Sequence, residues 1–196
     1  LLIMGALTSF ILGIGMTVTA AYIFLAIVLV PALTNSGINP LASHMFVMYW
    51  GMLSFITPPV ALAAFAAASV ANVAPMRAGF EAMRLGAIIY FVPFFFVFNP
   101  ALLLQGSIIE NVQAFTTAIF GVAIVSGALQ GYMIGVGDLG SGIKGLVVKT
   151  LVGISGLILA LPAGGLFGFS QIALLAVAGG LLLTGIMGRK VLINSW

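Results

Sequence analysis

The sequence contains no cysteine and very little charge. Its 196 residues include one histidine, six basic and three acidic side chains, so charged residues make up 5% of the chain. The missing cysteines exclude disulfides, thiolate chemistry and cysteine–metal sites. Six cations are too few for a nucleic-acid-binding surface, even with a pI near 9.6. The chain has one histidine and no pair of carboxylates within its apolar segments. It therefore lacks the side chains that acid–base or nucleophilic catalysis needs, and we expect that it is not an enzyme.

Apolar residues dominate what is present. They make up 63% of the chain, and the mean hydropathy is +1.33. The first charged side chain is Arg77, and uncharged stretches also cover residues 85–109, 111–137 and 150–188. A helix crosses a membrane with about 20 apolar residues. The composition therefore predicts an all-α integral membrane protein, whose first partner is the lipid bilayer.

The apolar segments are of two kinds. Four have the length of a single crossing, at about 85–104, 112–135, 145–162 and 171–188. Segments 1–33 and 41–74 are too long for one straight crossing at about 1.5 Å per residue. Each carries helix-breaking residues at its centre, which are Gly13, Gly15, Thr17 and Thr19 in the first and Thr57-Pro58-Pro59 in the second. We expect residues 13–19 to be non-helical at the tip of a re-entrant hairpin and 41–74 to be a broken helix.

The proline pair lies near mid-membrane depth. Proline lacks a backbone N–H, so two prolines in succession cannot continue a regular helix. In the hydrocarbon core, a carbonyl that accepts no hydrogen bond raises the free energy by several kcal/mol. Discontinuous helices of this kind form ion and substrate sites in secondary transporters. A simple proline kink is the alternative.

The positive charges predict the orientation. If residues 1–33 enter and leave on one face and 41–74 cross once, all six basic residues fall on one side. Basic residues are enriched in cytoplasmic loops, so that side and the C-terminus are expected to be cytoplasmic in a bacterial inner membrane. Loops 105–111 and 163–170 are then outside.

Two separated motifs resemble a known family. Residues 12–22 (LGIGMTVTAAY) and 51–64 (GMLSFITPPVALAA) are similar to the fused permease of tripartite ATP-independent periplasmic (TRAP) transporters, TAXI type. Residues 77–86 (RAGFEAMRLG) and 98–104 (FNPALLL) fit the same pattern. The resemblance is close over residues 1–105, while 106–196 resemble extra C-terminal spans found in some fused members.

The resemblance implies an elevator-type, sodium-coupled importer of small organic anions such as carboxylates. A periplasmic TAXI-type binding protein would deliver the substrate. Residues 1–75 would be the hairpin and broken helix of the second inverted repeat, the transport domain; 76–105 an arm helix and the following span; and 106–196 extra spans. We expect the first repeat and small-subunit-like helices to belong to the same longer permease.

The resemblance also places the sodium and substrate ligands on two groups of residues. They are Gly13, Gly15, Thr17 and Thr19 at the hairpin tip, and Ser54, Thr57 and Pro58 at the break. Sodium accepts neutral oxygens, whereas calcium and magnesium sites normally need carboxylates, and none precedes Glu81. No cofactor other than the coupling ion is expected.

Two alternatives remain open. The first is that the threonines are not ion ligands and that their hydroxyls bond to carbonyls of their own helices, as is common. A non-transporting scaffold or channel-lining subunit is the second function class, and an inverted upstream copy of the hairpin and break would exclude it.

Overall fold

The computed structural model describes residues 1–161 and 170–193 of the chain. The chain divides into two compact units, Leu1–Leu103 and Leu104–Trp196. The predicted outer loop 163–170 lies almost wholly outside the described residues, as does the side chain of Lys190. The predicted boundary at residue 75 stays a prediction.

The first unit consists of helices and short 3₁₀ turns, as an all-α membrane protein requires. Its helices are α1 (Leu2–Gly15), α2 (Val18–Val28), α3 (Val30–Asn35), α4 (Pro40–Met52), α5 (Leu62–Ala71), α6 (Pro75–Leu85) and α7 (Val92–Phe98). The 3₁₀ turns are Leu53–Phe55, Ala87–Tyr90 and Pro100–Leu103.

Helices α1 and α2 form a hairpin. A Cβ at Gly5, near the start of α1, would lie 3.4 Å from Leu29 Cδ2, at the end of α2. The chain therefore turns back on itself between them. Both legs pack on α4, and the buried core includes Ala6, Leu25, Leu33, Phe46 and Val47.

The hairpin tip is shorter than the sequence predicts. Residues 13–19 were expected to be non-helical, but α1 continues to Gly15 and α2 begins at Val18. Glycine lowers helix stability without ending a helix, so Gly13 stays helical. Helix α1 ends at Gly15 because Met16 is extended, and Thr17 caps the next helix by accepting a hydrogen bond from the Ala20 N–H.

The second long segment is a broken helix, as predicted. Helix α4 ends at Met52, a 3₁₀ turn follows, and α5 begins only at Leu62. Between them lie Thr57 and the Pro58-Pro59 pair, and Ala61 has a positive φ of 37°.

The single crossing predicted at 85–104 is wrong in detail. Gly86 ends α6, and the axes of Pro75–Leu85 and Ala87–Phe98 differ by 66°. Pro93 lies in the first turn of α7, and Pro100 starts a 3₁₀ turn after α7 has ended at Phe98. Glycine and proline at these spacings divide an otherwise apolar run into short pieces.

The described residues of the second unit form three long helices and a small hairpin. They are α8 (Ile108–Gln130), β1 (Tyr132–Met133), β2 (Gly137–Asp138), α9 (Gly142–Ala160) and α10 (Gln171–Ile193). Helix α8 begins earlier than the predicted 112, because Ser107 and Glu110 form a capping box. It ends at Gly131, which adopts φ 77°. Helices α8 and α9 cross closely at Gly121 and Gly156, where either Cβ would meet the other's carbonyl.

Four helical stretches of the described residues are long and apolar enough to cross a membrane. These four stretches are Val18–Asn35, Ile108–Gln130, Gly142–Ala160 and Ile172–Arg189. The bent pair α6–α7 would be a fifth if it forms one span. The protein is therefore an all-α, multi-pass membrane protein.

Candidate ion site at the hairpin tip and the helix break

The hairpin tip touches α4 just before α4 breaks. Gly13 of α1 is buried, and a Cβ there would overlap the Gly51 carbonyl oxygen and lie 2.9 Å from the Gly51 Cα. The two backbones are in contact because Gly13 has no side chain, whereas a Cβ at Gly51 would point into open space. The structure thus brings together the two segments in which the sequence places the ion site.

The Gly51 carbonyl also receives the first predicted hydroxyl. Ser54 is buried in the 3₁₀ turn, and its Oγ donates to the Gly51 carbonyl at 3.0 Å. The carbonyl therefore lies between the Cα of Gly13 and the hydroxyl of Ser54. Helix α1 also packs against Leu53–Phe55, so the turn is enclosed by the hairpin.

Thr57 is the most deeply buried of the three threonines predicted as ligands. It is 4% exposed, and its Oγ1 lies 2.7 Å from the Leu53 carbonyl and 2.6 Å from Tyr90 Oη. The single Thr57 proton is donated to Leu53, so Tyr90 must donate its own proton to Thr57. One lone pair of the Thr57 oxygen is then unused. The expected back-bonding to the helix is present, and it leaves an acceptor.

The prolines leave two carbonyls without helix partners. In a continuing α-helix the carbonyls of Ser54 and Phe55 would accept from the N–H groups of residues 58 and 59. Both are prolines and carry no N–H. The break therefore offers carbonyl oxygens next to the Thr57 hydroxyl.

The break is held against α6. A Cβ at Gly79 would lie 2.7 Å from Pro58 Cγ, and one at Gly86 would lie 3.1 Å from Ile56 Cδ1. Pro58 is thus a packing residue as well as a helix breaker. Its ring fixes where the freed carbonyls lie.

The other predicted tip residues are exposed. Gly15 is the last residue of α1 and has open space around it, and Thr17 caps α2. Thr19, in the first turn of α2, is exposed too. The seven predicted residues thus divide into three buried ones at the junction (Gly13, Ser54 and Thr57), the half-buried Pro58 at the break, and three exposed ones at the tip.

Three polar residues near the junction were not predicted. Tyr90 bonds to Thr57 from 33 positions away. Ser9 is fully buried one turn before Gly13, and Trp50 precedes Gly51; the Ser9 hydroxyl and the Trp50 indole N–H find no hydrogen-bond partner among residues 1–161 and 170–193. The sequence signal was weak, because one serine and two aromatic residues are ordinary in an apolar segment.

The junction residues themselves carry no formal charge. No charged side chain precedes Arg77. Across residues 1–161 and 170–193, no group of three or more histidine, cysteine or acidic side chains is arranged to hold a metal ion. A cation at the junction would be held by carbonyl and hydroxyl oxygens.

Residues 1–111 match the family model described as "Tripartite ATP-independent periplasmic transporter, DctM component". The chain belongs to this family. The match covers the hairpin, the break and the bent pair α6–α7, and it ends in the first turn of α8. No curated protein matches the chain, and no solved structure matches it.

Family membership makes the chain a membrane permease component of a TRAP transporter. TRAP permeases work with a periplasmic substrate-binding protein, and the DctM family is a family of transporters rather than enzymes. The transporter prediction is confirmed at this level. Residues 112–196 lie outside the match.

Proposed function

We propose that the chain is the ion- and substrate-carrying part of a sodium-coupled TRAP importer of small organic anions, of the TAXI type. The junction of Gly13, Gly51 and the Thr57 break carries this proposal. There α1 of the hairpin contacts the Gly51 carbonyl, three residues before the first carbonyl freed by the prolines. Discontinuous helices of this kind hold monovalent cations near the membrane midplane in secondary transporters.

The ion would be held at the break by neutral oxygens. The carbonyls of Ser54 and Phe55 have lost their helix donors to Pro58 and Pro59, and Thr57 Oγ1 keeps a lone pair. The backbone between Gly13 and Gly15 supplies carbonyls at the end of α1, where helix carbonyls lack intrahelical partners. A monovalent ion suits this set, because a divalent cation would need carboxylates.

An anionic substrate fits the donors near the tip. The hydroxyl of Ser9 and the indole N–H of Trp50 have no acceptor among the described residues. The N-terminus of α2 at Thr17 is exposed and carries the positive end of a helix dipole. Carboxylate oxygens accept from such groups, and the binding protein would supply the carboxylate.

An elevator movement fits the arrangement of the first unit. Hairpin and broken helix share contacts through α4, while α6 carries Arg77, Glu81 and Arg84 on an exposed, polar face. Arg84 and Glu81 form an exposed ion pair at 3.7 Å. We assign α6 as the arm that links the moving part to the fixed part at the cytoplasmic surface.

Sodium-dependent thermal stability of the purified permease tests the ion site without knowledge of the substrate. A ligand that binds only the folded state raises the unfolding midpoint. We expect sodium chloride, but not potassium chloride, to raise it. Thr57→Val keeps the side-chain shape, removes one ligand, and should raise the sodium concentration for half-maximal stabilisation about tenfold.

Thr116→Val is the matched control. Thr116 Oγ1 donates to the Val112 carbonyl at 2.7 Å, the same bond length as that of Thr57 to Leu53, but it lies on α8 of the second unit. This variant should keep the wild-type sodium response. An equal effect of sodium and potassium, or an unchanged response of Thr57→Val, would reject Thr57 as a ligand.

A further inference from the structure

Three basic residues of the second unit lie on the helices that adjoin the turn between α8 and α9. Lys144 and Lys149 lie on the first part of α9, and Arg189 lies near the end of α10. Arg189 Nε donates to the Asp138 carbonyl at 2.7 Å, which brings the end of α10 to the turn. Glu110, the other acidic residue of this unit, lies at the opposite end of α8.

Lys149 and Arg189 flank the turn backbone. A Cβ at Gly131 would lie 2.9 Å from Lys149 Nζ, and one at Gly137 would lie 3.2 Å from Arg189 Nη2. Gly131 ends α8, so the ammonium of Lys149 lies beside the negative end of a helix dipole. Both charged groups therefore lie close to the backbone of the turn, and Arg189 is also bonded to it.

These cations lack acidic partners within the described part of the chain. The Asp138 carboxylate accepts from the Gly140 N–H at 2.8 Å, and it forms no ion pair with Lys144, Lys149 or Arg189. The guanidinium of Arg189 uses Nε for the turn and leaves its two Nη groups as a fork. Such a fork matches two oxygens of a phosphate.

Two exposed apolar side chains belong to the same turn and the start of α9. Ile134 at the tip of the turn is 93% exposed, and Ile143 at the start of α9 is 84% exposed. A free phosphate would gain nothing from these side chains. A ligand with an anionic head and apolar tails would contact both kinds of group.

We propose that this end of the second unit binds the phosphate diester head group of an anionic phospholipid. The Nη fork of Arg189 and the ammonium group of Lys149 hold the phosphate, Lys144 adds positive charge from the first turn of α9, and the acyl chains lie against Ile134 and Ile143. Basic groups at the cytoplasmic ends of membrane helices bind anionic lipids in this way. The lipid would anchor the second unit at a fixed depth in the cytoplasmic leaflet.

Lipid retention by the full purified permease tests the proposal. Delipidated protein is incubated with phosphatidylglycerol or with phosphatidylcholine, and bound lipid is counted by native mass spectrometry. We expect phosphatidylglycerol to be retained in preference to phosphatidylcholine. Lys144→Gln/Lys149→Gln should weaken its binding by about fivefold for each charge removed.

Two comparisons separate the site from a general charge effect. Arg77→Gln/Arg84→Gln removes two positive charges from α6 of the first unit and should leave phosphatidylglycerol binding unchanged. Arg189→Lys keeps the charge and removes the fork, so it should weaken binding in a chain whose lysines are intact.

Three results would overturn the proposal. They are equal retention of the two lipids, a loss in the α6 variant as large as that in the α9 variant, and displacement of the lipid by excess inorganic phosphate. The last would identify free phosphate as the ligand of these groups. If the double lysine variant fails to fold, the Arg189→Lys comparison decides alone.

Discussion

At the scale of single residues, the closest backbone contact of the candidate site depends on Gly13. Its missing side chain lets α1 touch the carbonyl that Ser54 also binds, so hairpin and break share one atom. Gly15, two residues later, has open space around it. The two glycines differ in packing although they look alike in the sequence.

Gly13→Ala should therefore damage the junction. The added methyl would overlap the Gly51 carbonyl, and overpacking of this kind costs about 1–3 kcal/mol. We expect a lower unfolding midpoint and a weakened sodium response. Gly15→Ala is the control and should leave both near wild type, since no atom lies within 4 Å of the new methyl. Equal behaviour of the two variants would mean that the hairpin does not touch α4 at Gly13.

At the scale of elements, the hairpin decides how residues 1–35 sit in the membrane. Because the chain has no cysteine, a thiol reagent would modify only the cysteines that are introduced. Gly5→Cys/Leu29→Cys should be joined by a short thiol cross-linker, because a Cβ at Gly5 lies 3.4 Å from Leu29 Cδ2. In one continuous helix the two positions would be about 36 Å apart, out of reach.

The control pair for this cross-link is Gly15→Cys/Leu29→Cys. Its positions lie at the tip and at the base of α2, about 20 Å apart by helix rise. Intact mass should report a link in the first pair and none in the control. Absence of the link at positions 5 and 29 would reject the hairpin.

The sequence predicts those elements that depend on local chemistry. The break at Pro58-Pro59 follows from two missing N–H groups, and the long helices α8, α9 and α10 follow from apolar length. The exact tip and the division of 85–104 were not predicted, since glycine and proline only bias a helix and packing decides where it stops. The Thr57–Tyr90 bond joins residues 33 positions apart, and no local pattern encodes it.

At the scale of the whole molecule, the family match and the compact units agree. The DctM match ends at residue 111, close to the boundary of the units at Leu103 and Leu104. The first unit thus holds nearly all of the matched sequence, including the hairpin, the break and the candidate ion site. The second unit has its own helices and its own basic surface, and we assign transport to the first.

Uptake by the reconstituted permease tests the central claim most directly. Proteoliposomes holding the full permease receive the periplasmic binding protein loaded with its organic anion. The inward gradient is of sodium, of potassium or of protons. We predict uptake only with the sodium gradient and the binding protein together, and a higher sodium requirement in Thr57→Val than in Thr116→Val. Uptake that proceeds equally on a potassium or proton gradient would contradict sodium coupling at this junction.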